Sequence, residues 1–134
     1  MLANSKVATR LPAQEPQRAR MFYADKLGLQ PVDEQTEGLL YRCGGSEFAL
    51  FKSASAPSRE HTQMVWEVED IHAVVGELRG RGVAFEQYDV PGLTMADGIA
   101  DVQGGWPSKG DKGLRVAWFK DSEGNLLSLG QHIH

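Results

Sequence analysis

The fold is decided by residues 119–131, FKDSEGNLLSLGQ. We predict a strand that ends at Lys120, a tight turn carried by Asp121, Gly124 and Asn125, and then a short apolar strand. Asp, Asn and Gly favour this arrangement because they tolerate the backbone angles that a hairpin turn demands. Residues 41–51, YRCGGSEFALF, have the same shape. The chain is therefore interpreted as two copies of one small unit.

The first unit is predicted to contain one strand, one helix and three further strands. The helix begins at Pro16, where the missing N–H costs nothing, and ends at Gly28. Its apolar side chains recur along one helical face. The strands are expected at residues 5–11, 30–36, 39–43 and 47–52.

The second unit repeats this order after a small, polar linker at residues 53–60, SASAPSRE. A strand at 61–68 precedes a helix that Asp70 caps and that glycines 80 and 82 end. Further strands are expected at 83–87, 114–119 and 126–129.

Equal spacings support an internal repeat. Seven residues separate Ala8 from Glu15 in the first unit, and seven separate Gln63 from Asp70 in the second. The distance from the hairpin glycine to the middle of the following strand is four residues in both units. The pattern predicts an α+β fold of two tandem βαβββ units.

Composition excludes several classes of protein. The chain has 134 residues, 41% hydrophobic and 24% charged, which fits one domain with a core of its own. A net charge of -4 provides no basic footprint for nucleic acid. Cys43 is the single cysteine, so no internal disulfide is expected, and no apolar run approaches ~18 residues. We therefore expect a cytoplasmic protein with neither a nucleic acid nor a membrane as its partner.

Three phrases in this order resemble the vicinal-oxygen-chelate superfamily, which holds the glyoxalase I, extradiol dioxygenase and bleomycin-resistance proteins. They are RARMFY with LGL at 18–29, VEDI at 68–71 with a helix that closes at Gly82, and DSEGN at 121–125. The resemblance covers residues 5 to 131. It implies two βαβββ modules in a single domain, 1–134, with module one at about 5–52, the linker at 53–60 and module two at about 61–131. It also implies a curled mixed sheet around a cavity, and a homodimer, since several members build the cavity from two chains.

The family's enzymes hold one divalent metal on strands of the two modules. Carried over to this sequence, those positions are Ala8, Ala49, Gln63 and Ser128. Iron, nickel and zinc need about three or four imidazole, carboxylate or thiolate donors, and alanine supplies none. We therefore expect no metal and no cofactor, and the lyase and dioxygenase activities of the family do not carry over from the fold.

Two enzymatic alternatives stay open. Residues two apart in a strand share a face, so an off-register metal could be held by His61, Glu47 and Glu67. Alternatively, Glu67 could act as a general base without a metal. The simpler interpretation makes His61 a solvated strand end and Glu67 the polar side of a half-exposed strand.

Residues 88–112 are expected to form one long loop over the cavity mouth. In it, Trp106 offers a flat face to an aromatic ligand, or packs against the sheet or a second subunit. Arg10 could pair with Glu47 or Glu67, bind an anionic ligand, or lie exposed at an edge. The candidate ligand-binding residues are Arg10, Glu47, Phe51, Gln63, Glu67, Trp106, Phe119 and Ser128.

The favoured function is a metal-free protein that sequesters an aromatic or drug-like small molecule, as the bleomycin-resistance members do. Acidic walls at Glu47 and Glu67 suit a cationic ligand. The first alternative is a lyase, isomerase or dioxygenase that uses an off-register metal or a carboxylate base. The second is a protein whose dimer interface matters and whose pocket is vestigial.

Overall fold

The computed structural model describes residues 1–91, 93–103 and 112–133. Two helices and nine strands make up the described part of the chain, after a short 3₁₀ turn at Leu2–Asn4. In chain order they are β1 (Thr9–Ala13), α1 (Pro16–Leu27), β2 (Asp33–Gln35), β3 (Gly38–Cys43), β4 (Ser46–Lys52), β5 (Thr62–Glu67), α2 (Ile71–Gly80), β6 (Thr94–Ala96), β7 (Ile99–Gln103), β8 (Gly113–Lys120) and β9 (Leu126–Ile133). No helix within these ranges is long and apolar enough to cross a membrane.

Two mixed sheets confirm the predicted α+β class. The first has the strand order β1-β4-β3-β2, and the second has the order β5-β9-β8-β7-β6. In both, the strand before the helix lies parallel to the last strand of the module, and the other neighbours are antiparallel. The second sheet repeats the order of the first and adds the short strand β6.

Local signals place both helices where the sequence predicts them. Pro16 opens α1, and Gly28 ends it with a left-handed φ of 71°. Asp70 caps α2, because its carboxylate accepts a hydrogen bond of 3.1 Å from the Ala73 amide. The buried faces of the helices, which include Tyr23 on α1 and Val75 on α2, join one hydrophobic core that both modules share.

The predicted strand at 83–87 and the predicted loop at 88–112 were wrong in part. Phe85 makes only an isolated bridge to Phe119, while β6 and β7 form a hairpin inside the expected loop. Asp97 and Gly98 join these strands with positive φ values of 54° and 78°. An Asp-Gly pair between short apolar runs is a strong hairpin signal, and the sequence carries it at these positions.

Three strand ends also differ from the prediction. The first strand starts at Thr9 rather than at residue 5, because its parallel pairing with β4 begins with Thr9 opposite Phe48. The second is shorter than expected, since only Asp33–Gln35 pair with β3. The last continues to Ile133, opposite Gly113 of β8.

The turn at 121–125 joins the two modules. Asp121 accepts hydrogen bonds from the Glu123 and Asn125 amides, both at 2.9 Å, which closes the turn. Asn125 donates to the Pro12 carbonyl of module one at 3.0 Å. Tyr23 of α1 donates to Asp121 at 2.8 Å. The stretch that identifies the hairpin therefore also holds the modules together.

Candidate ligand-binding site

The first sheet has one covered face and one open face. Large side chains on the covered face, such as Tyr41, Phe48 and Leu50, are buried in the core with Tyr23 of α1. Because side chains alternate along a strand, their neighbours point to the opposite face. Strand register aligns these neighbours in two rows across the sheet. The rows are Arg10, Ala49, Leu40 and Asp33, followed by Pro12, Phe51, Gly38 and Gln35.

A groove of about 680 Å³ runs along this open face. Its centre is small and apolar, since Ala49, Leu40 and Gly38 occupy the middle strands. The Arg10 guanidinium lies 5.1 Å from the centroid of the Phe51 ring, a cation–π contact. Within the described residues Arg10 makes no ion pair and its side chain donates no hydrogen bond. Arg10 and Phe51, both predicted site residues, therefore lie together, and the N–H donors of the Arg10 side chain are free to bind a ligand in the groove.

Glu47 and Glu67, which were predicted to form acidic walls, each contact another charged or polar side chain. Glu47 pairs with Arg42 at 2.7 Å across the β3–β4 hairpin. Glu67 Oε1 lies 3.1 Å from His132 Nε2. Neither carboxylate meets Arg10, so the expected Arg10–Glu47 and Arg10–Glu67 pairs do not form. Arg42 sits opposite Glu47 in the strand register, a pairing that the hairpin imposes locally.

The four positions implied for a metal, Ala8, Ala49, Gln63 and Ser128, do not lie opposite one another across the paired strands. Ala8 precedes β1, and Arg10 lies opposite Ala49. Gln63 falls at an irregularity of β5, and Val65 lies opposite Ser128. Cationic Arg10 and the apolar Ala49 and Val65 supply no metal donor, so these residues do not fit a divalent ion.

The off-register alternative places His61 with Glu47 and Glu67. His61 is exposed next to the linker, with Nδ1 3.4 Å from Ser58 Oγ. In the ranges that the structure describes, no three His, Cys, Asp or Glu side chains come together as a metal would require. The geometry therefore does not assemble this set.

The remaining predicted residues are scattered. Phe119 is fully buried and stacks on Trp66 with ring centroids 6.2 Å apart, so it belongs to the core. Ser128 is also buried, at 3% exposure, beside Trp118 in the register. The side-chain oxygen of Gln63 is buried and finds no hydrogen-bond partner in the described chain. Trp106 lies outside the described residues, so its predicted role stays a prediction.

A second groove, of about 430 Å³, lies on the second sheet and was missed by the sequence analysis. Tyr88 and Trp118 meet edge to face there, with centroids 5.3 Å apart. Lys120 pairs with Glu86 at 3.2 Å beside them. Burial raises the pKa of the Tyr88 phenol, and the Glu86 charge raises it further, so Tyr88 is a neutral donor. Alternation along β8 would have predicted this groove, because Trp118 precedes the buried Phe119 and its side chain therefore points to the opposite face.

Comparison with known proteins settles the family. The family model described as Glyoxalase/Bleomycin resistance protein/Dioxygenase superfamily matches residues 7–129. The chain belongs to this superfamily. The resemblance seen in the RARMFY, VEDI and DSEGN phrases is thereby confirmed. No curated protein matches the chain.

Solved structures of this superfamily share the fold. A glyoxalase/bleomycin resistance protein/dioxygenase from Alicyclobacillus acidocaldarius has 14% identity and a TM-score of 0.70, over 98% of this chain and 93% of that one. TnmS3, an antibiotic binding protein from a Streptomyces species, has 21% identity and a TM-score of 0.64, over 98% and 99%. The fosfomycin resistance protein FosX from Mesorhizobium loti has 8% identity and a TM-score of 0.61, over 96% and 92%.

Proposed function

We propose that this chain is a binding protein for a small molecule with an aromatic or apolar body, held on the open face of the first sheet. The observation that carries the proposal is the groove in which Arg10 lies over Phe51 with its N–H donors unused. Small-molecule sites combine apolar contact surface with placed polar groups, and this groove has an apolar floor of Leu40, Ala49 and Phe51 between charged and polar residues. The antibiotic binding protein TnmS3 supports the proposal through a shared fold.

The donor set favours binding over metal chemistry. Superfamily enzymes need several imidazole or carboxylate ligands, whereas the residues that face each other across these strand pairs are Arg10 with Ala49 and Val65 with Ser128. A guanidinium at one of these positions repels a divalent ion and attracts an anion. The charges on this face thus support ligand capture without a metal.

We further propose that two copies of the chain associate through their open sheet faces. In one chain the groove of the first sheet, the groove of the second sheet and a cavity of about 520 Å³ that both sheets line are all open to solvent. Val65, which is 47% exposed, lies in one row with Trp118 on the open face of the second sheet, so this face offers apolar surface to a partner. A second copy would cover these faces and bury more of the ligand.

The first test is a thermal-shift screen of aromatic and drug-like compounds on the purified chain. Hits are then titrated into Ala49→Trp, which fills the floor of the groove, and into Ala56→Trp, which adds the same bulk to the exposed linker. We expect Ala49→Trp to lose binding while Ala56→Trp keeps it, with circular dichroism to verify the fold of both. Equal binding by both variants would place the ligand elsewhere.

A second candidate function rests on the contact between Glu67 and His132. A carboxylate within 3.1 Å of an imidazole can share a proton with it, which suits the general base that the enzymatic alternative requires. The assay is turnover of a hemithioacetal or a catechol by the wild-type chain and by Glu67→Gln. Turnover that Glu67→Gln abolishes would favour the enzyme, and no turnover by the wild type would remove this candidate.

A further inference from the structure

We propose that the ligand is an elongated zwitterion, with an anionic group bound by Arg10, a cationic group bound by Asp33 and an apolar body between them. This inference rests on the proposed function, because it names the ligand class of the same groove. It replaces the cationic ligand expected from the sequence.

One row of side chains crosses the open face of the first sheet. Arg10 lies opposite Ala49, Ala49 opposite Leu40, and Leu40 opposite Asp33. Arg10 stands on one edge strand of the sheet, and Asp33 stands on the other. Three strand spacings separate them, or about 14 Å. One face of the sheet therefore carries a cation and an anion at the two ends of a single row.

Neither charge of this row is neutralised by an ion pair. Asp33 and Arg10 enter no ion pair among the described residues. Their separation exceeds the Debye length of about 8 Å at physiological salt, so they do not neutralise each other. The adjacent Glu34, by contrast, pairs with Arg20 at 2.7 Å. The sheet thus leaves these two charges available to a ligand.

An apolar floor lies between the two charges. Ala49 and Leu40 occupy the middle of the row, and Phe51 and Gly38 lie beside them in the next row. A Cβ added to Gly38 would have only the Leu50 carbonyl oxygen within 4 Å, at 3.6 Å, so the surface above Gly38 is open. A flat apolar body can lie on this floor and contact the Phe51 ring.

The other charged residues that line the groove do not favour either sign. Glu37 and Lys52 are both exposed there, and their main chains are joined by a hydrogen bond of 2.8 Å. They carry opposite charges at one end of the groove, so their fields largely cancel at a distance. Arg10 and Asp33 therefore set the charge pattern that a ligand meets along the row.

The chemistry of recognition follows from the two side chains. A guanidinium offers a planar fork of N–H donors that matches a carboxylate. An aspartate accepts hydrogen bonds from an ammonium group. A ligand with a carboxylate at one end and an amine at the other satisfies both ends at once.

The test uses four rigid probes with the same biphenyl body. They carry, on the two para ends, a carboxylate and an aminomethyl group, the carboxylate alone, the aminomethyl group alone, or a neutral hydroxymethyl group. Affinities for the wild-type chain are measured by isothermal titration calorimetry. We expect the zwitterion to bind tightest and each singly charged probe to bind about fivefold more weakly, as for a partly exposed ion pair.

Variants assign the two ends. Arg10→Met is expected to lower the affinity for the zwitterion about fivefold and to leave the aminomethyl probe unchanged. Asp33→Asn is expected to lower the affinity for the zwitterion about fivefold and to leave the affinity for the carboxylate probe unchanged. Arg20→Met on α1 and Glu34→Gln on β2 change the two charges of an ion pair outside the row, serve as matched controls and should change neither affinity.

Three outcomes decide the matter. The expected pattern supports the inference. Equal affinity for all four probes, or equal losses in the control variants, overturns the inference and leaves the proposed function standing. No binding of any probe, with aromatic hits from the screen also absent, overturns both.

Discussion

At the scale of single residues, the buried carboxylates of the turn at 121–125 carry the contact between modules. Glu123 has no solvent-exposed side-chain surface. Its two oxygens accept hydrogen bonds from the Glu15 amide at 2.9 Å, Arg18 Nε at 2.8 Å and Ser122 at 2.9 Å. Burial alone would raise the pKa of Glu123, but these hydrogen bonds, with Arg18 foremost, hold it below its usual range. The ionised form is therefore the one that the fold stabilises.

Glu123→Gln keeps the shape of the side chain and removes its charge. We expect the variant to be about 1 kcal/mol less stable at neutral pH, because a neutral amide pairs more weakly with half-exposed Arg18 and its NH2 group accepts no hydrogen bonds. Chemical denaturation measures the change. Glu77→Gln is the control, since Glu77 pairs with Arg81 on an exposed helix face and should cost almost nothing.

The same pair of proteins gives a pH dependence with a defined sign. A folded-state pKa below the unfolded value stabilises the protein at higher pH, and this stability is lost as pH falls through the folded pKa. The stability difference between wild type and Glu123→Gln should therefore shrink below the ordinary glutamate value of 4.5. Burial raises the pKa of Asp121 despite hydrogen bonds from Asn125 and Tyr23, so Asp121 acts with the opposite sign. It is present in both proteins, so the difference isolates Glu123. A difference that is constant with pH would contradict this account.

Two buried tyrosines provide a second prediction. Tyr23 donates to Asp121 at 2.8 Å, whereas the Tyr41 hydroxyl has no partner among the described residues. Both side chains are at most 1% exposed. Tyr23→Phe should therefore cost about 1–2 kcal/mol, and Tyr41→Phe should be neutral or stabilising, because it removes an unpaired buried hydroxyl. Equal losses in the free energy of unfolding would show that packing, and not the hydrogen bond, governs both sites.

At the scale of elements, the β6–β7 hairpin depends on its two-residue turn. Gly98 has a φ of +78°, and a Cβ added there would lie 2.7 Å from an Arg79 guanidinium nitrogen. Gly98→Ala should destabilise the protein by about 1–2 kcal/mol. Gly76→Ala is the matched control, since Gly76 lies inside α2 with open space around its Cα. We expect it to stabilise the protein by about 0.5–1 kcal/mol. Thermal denaturation of both variants tests the opposite signs.

The elements that the sequence predicted well are those with local signals. Pro16, Gly28 and Asp70 mark the helix ends directly. Strand register is different, because it is set by pairing with a distant strand. The sequence therefore placed Ala8 where the structure has Arg10 opposite Ala49.

Residues of the candidate site were also hard to predict where their positions depend on strand register. β5 has an irregularity between Thr62 and Met64, and Val65, not Gln63, lies opposite Ser128. No local sequence pattern indicates this irregularity. The contact of Glu67 with His132 depends on which distant strands meet, whereas the pairing of Glu47 with Arg42 follows from a local hairpin. The sequence predicted Arg10 and Phe51 as site residues because alternation along their own strands places them on the open face. It did not predict Asp33, because the position of Asp33 in the row depends on the register of three strand pairs.

At the scale of the whole molecule, the shared core determines which surfaces stay open. Phe48 of module one meets Trp66 of module two at 5.9 Å, so the covered faces of the two sheets contribute to one core. The opposite faces, with Phe51 on the first sheet and Val65 on the second, remain uncovered in a single chain. Apolar surface on two open faces favours the association that we propose.

Analytical ultracentrifugation of the full chain tests that association. We expect a dimer at micromolar concentration, and we expect Val65→Glu to weaken it at least about tenfold, because a buried charge without a partner is costly. Val90→Glu is the control, since Val90 is similarly exposed at 50% but lies outside the strands and outside the cavity that Val65 lines. Weakening by both variants would reflect net charge, and a wild-type monomer at every concentration would contradict the dimer. In that last case each groove acts alone, and every contact with the ligand must come from the residues of one sheet.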